Sequence, residues 1–151
     1  MTKLETLDNL VKTCVDSAER YRRAANDVSK EKLVQFFQRQ EAVRRRDADE
    51  LNLERKQLGG EGEKSGKESG SVKGFIDRAE MDLNVVMSMG DTGVVEWCLE
   101  DARGVISEYQ KALQQDFPAT TRATLERQLS ESQATLTGLE KILKPYGHPR
   151  S

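Results

Sequence analysis

The sequence predicts an all-α fold, a four-helix bundle made of two similar hairpins, and three observations carry that expectation. Apolar residues recur in steps of three and four along four separate stretches, the signature of helices that share one buried seam. The chain also matches itself at a fixed offset of 88 residues, with no gap: Tyr21, Ala24, Arg39, Gln40, Leu51, Lys56 and Gly59 recur as Tyr109, Ala112, Arg127, Gln128, Leu139, Lys144 and Gly147. Between the two halves lies a stretch of quite different composition, rich in Gly, Ser, Glu and Lys.

The first helix opens at Thr2 with Glu5 three residues on, the spacing of a capping box. Leu4, Leu7, Val11, Cys14, Ala18, Tyr21 and Ala25 then alternate in threes and fours. Asn26-Asp27-Val28-Ser29 breaks the pattern and offers Ser29 as a new cap. The second helix carries Leu33, Phe36, Phe37, Val43, Ala48, Leu51 and Leu58 and stops at Gly59-Gly60. Residues 59–74 read as a flexible crossover and 75–89 as a short helix, with Phe75, Ile76, Ala79, Leu83, Val86 and Met87 on one face, ended by Gly90-Asp91. Val95, Cys98, Ala102, Val105, Tyr109 and Ala112 form the third long seam. A turn over residues 114–121 leads to the fourth, Leu125, Leu129, Ser132, Leu136, Leu139, Leu143 and Tyr146, stopped by Pro145 and Gly147. Two tight hairpins joined by one long crossover is the connectivity of a ferritin-like bundle.

At 151 residues the chain is one domain, 1–151, long enough to bury a core without disulfides or metals. A charged fraction of 33% against 36% hydrophobic and 5% aromatic suits amphipathic helices with narrow apolar stripes. The net charge of −2, with both signs interspersed, offers no broad basic face, so no nucleic-acid partner is expected. The N-terminus lacks the apolar run of a signal peptide and no stretch is long enough to cross a bilayer, so the expectations are no membrane and a cytoplasmic location. Cys14 and Cys98 both fall on apolar seams and read as buried thiols.

Several short pieces, in order, also resemble a known family. They are Tyr21-Arg22-Arg23-Ala24-Ala25, Gln57-Leu58-Gly59-Gly60, Ser69-Gly70-Ser71-Val72, Met81-Asp82-Leu83, Gly90-Asp91, Tyr109-Gln110-Lys111-Ala112-Leu113 and Glu126-Arg127-Gln128. In these the chain resembles the small bacterial ferritin-like proteins that carry the uncharacterised DUF2383 domain, called PA2169-family proteins. The resemblance implies the bundle fold and brings no established reaction.

A ferritin-like di-iron site takes one Glu from each of two helices and a Glu-x-x-His from each of the others. Hard carboxylate oxygens bridge the metals and each imidazole completes a coordination sphere. The seams here carry no such set. Glu41-x-x-Arg44 stands where Glu-x-x-His would be sought, and the single histidine, His148, follows the last helix stop. No metal, cofactor or catalytic residue is therefore expected; Glu19, Glu41, Glu108 and Glu131 are the only donors for an unorthodox carboxylate site. Glu41, Arg44 and Asp47 lie on the side of the second helix where Leu33, Phe37 and Leu51 would project inward, and are candidates for a polar core. The favoured alternative turns that side to solvent at mid-helix, with Val43 and Ala48 filling the interior. Tyr21 and Tyr109 can form a symmetric inner pair, and Trp97, one residue off its seam, can cover the short helix or meet a partner.

The resulting expectation is a non-enzymatic bundle with a binding or structural role, linked to stress by analogy alone. The alternatives are a metal-binding or oxidase-type protein with those four carboxylates, and a helical module that binds a homodimer mate or another protein.

Overall fold

The computed structural model describes residues 1–59 and 89–144, and these form four α-helices: α1 (Lys3–Asp27), α2 (Glu31–Gln57), α3 (Met89–Ala112) and α4 (Ala119–Leu143). The four-helix bundle expected from the seams is the fold. The short helix and most of the crossover assigned to 59–89 lie outside the described residues, as do Tyr146 and His148.

Local chemistry sets the helix ends. Thr2 and Glu5 close a reciprocal capping box: Thr2 Oγ1 accepts from the Glu5 amide at 3.0 Å and Glu5 Oε1 from the Thr2 amide at 2.8 Å. Helix α2 ends at Gly59, whose φ of +95° is the left-handed conformation glycine adopts without strain. In the α3–α4 turn, Arg122 Nη2 donates to the carbonyls of Leu113 and Gln115 (3.2 and 2.6 Å). It thereby satisfies acceptors that the end of α3 leaves free.

Two expectations for this region change. Ser29 does not cap α2. Its amide and hydroxyl donate instead to the carboxylate of Asp91 on α3, at 3.0 and 2.9 Å, and Lys30 holds the cap position with no side-chain bond. Gly90-Asp91 is not a helix stop either, because α3 begins at Met89 and both residues lie in its first turn. A glycine there interrupts little helix, and an aspartate there is favoured by the helix dipole.

Side-chain bonds give the topology. Asp8 pairs with Arg55 and Ser17 with Arg44, so α1 and α2 run antiparallel. Asn9 bonds Glu108 and Ser17 bonds Asp101, so α1 and α3 are antiparallel as well. Gln40–Thr135 and Glu50–Arg127 make α2 and α4 antiparallel. Helices α2 and α3 are therefore parallel, and the end of α2 and the start of α3 lie at opposite ends of a bundle about 40 Å long.

Candidate functional site

The apolar core is divided in two. One cluster, around Tyr21, Phe37, Cys98, Leu139 and Leu143, fills the end near the α1–α2 turn; the other, around Leu10, Cys14, Leu51, Tyr109 and Leu125, fills the opposite end. Between them sits a layer of buried polar side chains: Ser17 on α1, Gln40, Arg44 and Asp47 on α2, and Gln128, Ser132 and Thr135 on α4. In α2 this layer continues the apolar stripe, since Phe37, Gln40, Arg44, Asp47 and Leu51 follow one another in steps of three and four.

Arg44 is the centre of the layer and is wholly buried. Its Nε donates to Ser17 Oγ at 3.3 Å and its Nη1 to Asp47 Oδ2 at 3.4 Å. Ser17 Oγ in turn donates to Asp101 Oδ2 of α3 at 2.6 Å. Asp47 Oδ1 accepts from Arg46 Nη2 at 2.9 Å, and the same nitrogen reaches Glu131 Oε1 of α4 at 2.6 Å. Arg127 joins Glu131 and Glu50, and Gln128 Nε2 donates to Glu50 Oε1 at 2.9 Å and to the Asp47 carbonyl at 3.3 Å. One connected network thus ties all four helices at the middle of the bundle.

A second chain of bonds adjoins it. Tyr109 Oη donates to Gln128 Oε1 at 2.5 Å and lies 3.2 Å from Cys14 Sγ. Because the phenol proton goes to Gln128, the thiol is the donor to Tyr109. Burial pushes the Cys14 thiol up to about 12, with Asp47 adding to the effect, and the Cys98 thiol up to about 12 for the same first reason. Both stay protonated at neutral pH, so neither is an activated nucleophile.

Burial also raises the Asp47 carboxyl to about 6, against the pull of Arg44 and Arg46, and raises Asp101 in the same direction. Burial opposes charge on Arg44 too, but the groups around it, Tyr21 and Asp47 foremost, outweigh that and the guanidinium stays protonated. A carboxyl whose folded value lies above its unfolded one binds its proton more tightly in the folded state. Its stabilising contribution is complete below about pH 4 and is lost as pH rises through about 6. The unfolding free energy from denaturant titration is therefore expected to rise as pH falls from 7.5 to 5, by about 1.4 kcal/mol from this group. Asp47→Asn should flatten the slope; an equally steep rise in that variant would remove Asp47 as its source.

The model of a family described as a domain of unknown function, DUF2383, matches residues 2–115. The chain belongs to the DUF2383 family. The match takes in α1, α2 and α3, with Ser17, Arg44, Asp47 and Asp101, and leaves α4 outside. No curated protein matches this DUF2383 chain. No helix among its described residues is long and apolar enough to cross a membrane.

The DUF2383 bundle brings together only part of what the sequence singled out. Arg44 and Asp47 are in the core and paired, so the middle of α2 does not turn to solvent; Ala48 is buried with them while Val43 is only half-buried. Glu41 is the correction: it lies one position off the inner stripe and pairs with Arg45 along the helix, at 3.0 Å, not with Arg44. Glu19, half-exposed, pairs with Arg22 and Arg23. Glu108 bonds Asn9 and Lys111, and Glu131 bonds Arg46 and Arg127. The four carboxylates do not converge. Among the described residues no group of three or more His, Cys, Asp or Glu is placed to hold a metal ion.

A di-metal centre does not fit the described residues. The middle of the bundle holds a permanent cation, Arg44, and the one wholly buried carboxylate among the described residues, Asp47, already accepts from two arginines. Tyr21 and Tyr109 are both wholly buried, one in each apolar end, and Trp97 is covered by Arg20, whose guanidinium carbon stands 4.6 Å above the ring centre. The sequence reading missed Ser17, Asp101 and Gln128 as members of the network. The clue to Gln128 was its place as the 88-residue counterpart of Gln40; Ser17 was hidden beside Ala18, which shares its seam.

Proposed function

We propose that this protein is a non-enzymatic helical bundle of ferritin-like topology that acts as a structural or binding module. An ion-pair network stands in place of a di-metal centre. The observation that carries the reading is the burial of the Arg44 guanidinium among Asp47, Ser17 and the side chains around them. A cation fixed by the sequence supplies the positive charge that bound metal would otherwise bring to the middle of such a bundle, and it repels any metal that approaches. The parallel run of α2 and α3, each antiparallel to α1, supports the ferritin-like connectivity. Nothing in the layer forms a nucleophile with a base beside it, which supports a role without catalysis.

The test is elemental analysis of untagged protein after incubation with ferrous iron, manganese or zinc and desalting. Well under one equivalent of each metal is expected, with helicity unchanged. Retention of about two equivalents would sink the reading and favour a carboxylate site of the di-metal kind.

A further inference from the structure

The 88-residue offset in the sequence has a counterpart in the contacts between α2 and α4. Thr135 Oγ1 donates to Gln40 Oε1 at 2.9 Å, and Gln128 Nε2 donates to the Asp47 carbonyl at 3.3 Å. The offset carries Gln40 onto Gln128 and Asp47 onto Thr135, so these two contacts are the same contact seen from either hairpin. The bundle therefore has a local two-fold axis that exchanges the α1–α2 hairpin with the α3–α4 hairpin.

The position of that axis follows from the register. Gln40 faces Thr135, Arg46 faces Glu131 and Asp47 faces Gln128, which brings Arg44 level with Ser132. Arg44 and Ser132 are themselves separated by the offset, so the axis exchanges them with each other. Both are wholly buried. On one side of the axis stands Arg44, the largest fully buried side chain among the described residues. On the other stands a serine whose hydroxyl is turned back to the Gln128 carbonyl of its own helix at 3.0 Å.

This asymmetry matters because two similar hairpins have two ways to pair. Within one chain the first hairpin meets the second, and one guanidinium lies on the axis. If first hairpins of two copies met each other, the same register would put two Arg44 guanidiniums level on the axis, in the same buried layer and with like charge. Two like charges at such a place, in a medium of low dielectric constant, cannot share a site without a large penalty. We infer that Arg44, set against Ser132 on the local two-fold axis, is the residue that makes a first hairpin pair with a second hairpin and excludes the pairing of the first hairpins of two copies.

The axis is tested by moving the charge across it. Ser132→Arg places two guanidiniums on the axis of the full chain and is expected to lower the thermal midpoint by more than about 10 °C. Arg44→Ser combined with Ser132→Arg restores one, and is expected to recover at least half of that loss. The pairing is tested with Arg44→Ser/Asp47→Thr, which gives the first hairpin the residues of Ser132 and Thr135 and leaves no unpaired charge at those positions. In size-exclusion chromatography with light scattering this variant should show a larger fraction of doubled mass than the unsubstituted chain at equal concentration. No recovery in the charge-transfer variant would overturn the axis position, and an unchanged mass distribution in a helical Arg44→Ser/Asp47→Thr protein would overturn its role in pairing. If that last variant does not fold, the melting comparison decides alone, since absence of recovery is fatal to both.

Discussion

Arg44→Met is expected to cost about 3–5 kcal/mol of folding stability, read as a lower denaturant midpoint with an unchanged slope. Methionine fills most of the volume, so packing is a minor part of the loss. The larger part is electrostatic: Asp47, with no exposed surface, loses one of its two arginines, and Ser17 Oγ loses the donor that completes its bonding. Arg46 still reaches Asp47 at 2.9 Å, which keeps the cost near the lower bound. Arg44→Lys should recover only part of it, because one ammonium cannot reproduce the guanidinium fork that meets Ser17 and Asp47 from separate nitrogens. Arg44→Met/Asp47→Leu removes the pair together and should return much of the stability. A single-variant loss below about 1 kcal/mol would show that the layer is more hydrated than its burial implies.

The helices were legible because a seam is a local property. Leu7, Val11, Cys14, Ala18 and Tyr21 announce an inner face by spacing alone, and all are buried. The polar layer was only half legible, for a physical reason. The run Phe37, Gln40, Arg44, Asp47, Leu51 keeps the helical phase, but a charged residue in phase can be an interior residue with partners or the place where a helix rotates outward. Only the partners decide, and here they come from other helices: Ser17 from α1, Glu131 and Gln128 from α4.

The same limit explains the misplacements. Glu41 looked like a partner for Arg44 three residues on, but Arg45, four residues on, lies on Glu41's own outward face and takes it. Ser29 read as a cap because its competitor, Asp91, is 62 residues away in sequence. Gly90-Asp91 read as a stop because glycine marks helix ends in general, whereas in a first turn it is tolerated. What the sequence did hold in advance was the offset. It pairs Gln40 with Gln128 and Asp47 with Thr135, and the structure joins those residues crosswise.

Phe37→Ala is expected to cost about 3–5 kcal/mol, and unequally along the bundle. Phe37 is wholly buried between Tyr21, stacked at 5.9 Å between ring centres, and Phe36, edge-on at 5.5 Å. Its removal leaves a cavity among rigid aromatic and helical neighbours that have little room to collapse. That cavity lies in the apolar cluster near the α1–α2 turn, and the polar layer separates it from the cluster around Leu10, Leu51 and Leu125. Hydrogen bonds across the layer are directional and depend on the helices keeping their spacing, whereas apolar contacts within each end do not extend through it. Native-state hydrogen exchange should therefore show protection falling first at amides near Leu33, Phe37 and Leu139, with smaller losses near Leu10 and Leu51. Leu51→Ala should give the reverse pattern. Equal losses at both ends in both variants would mean that the layer couples the two half-cores into one cooperative unit, and that the buried ion pairs transmit strain instead of dividing the core.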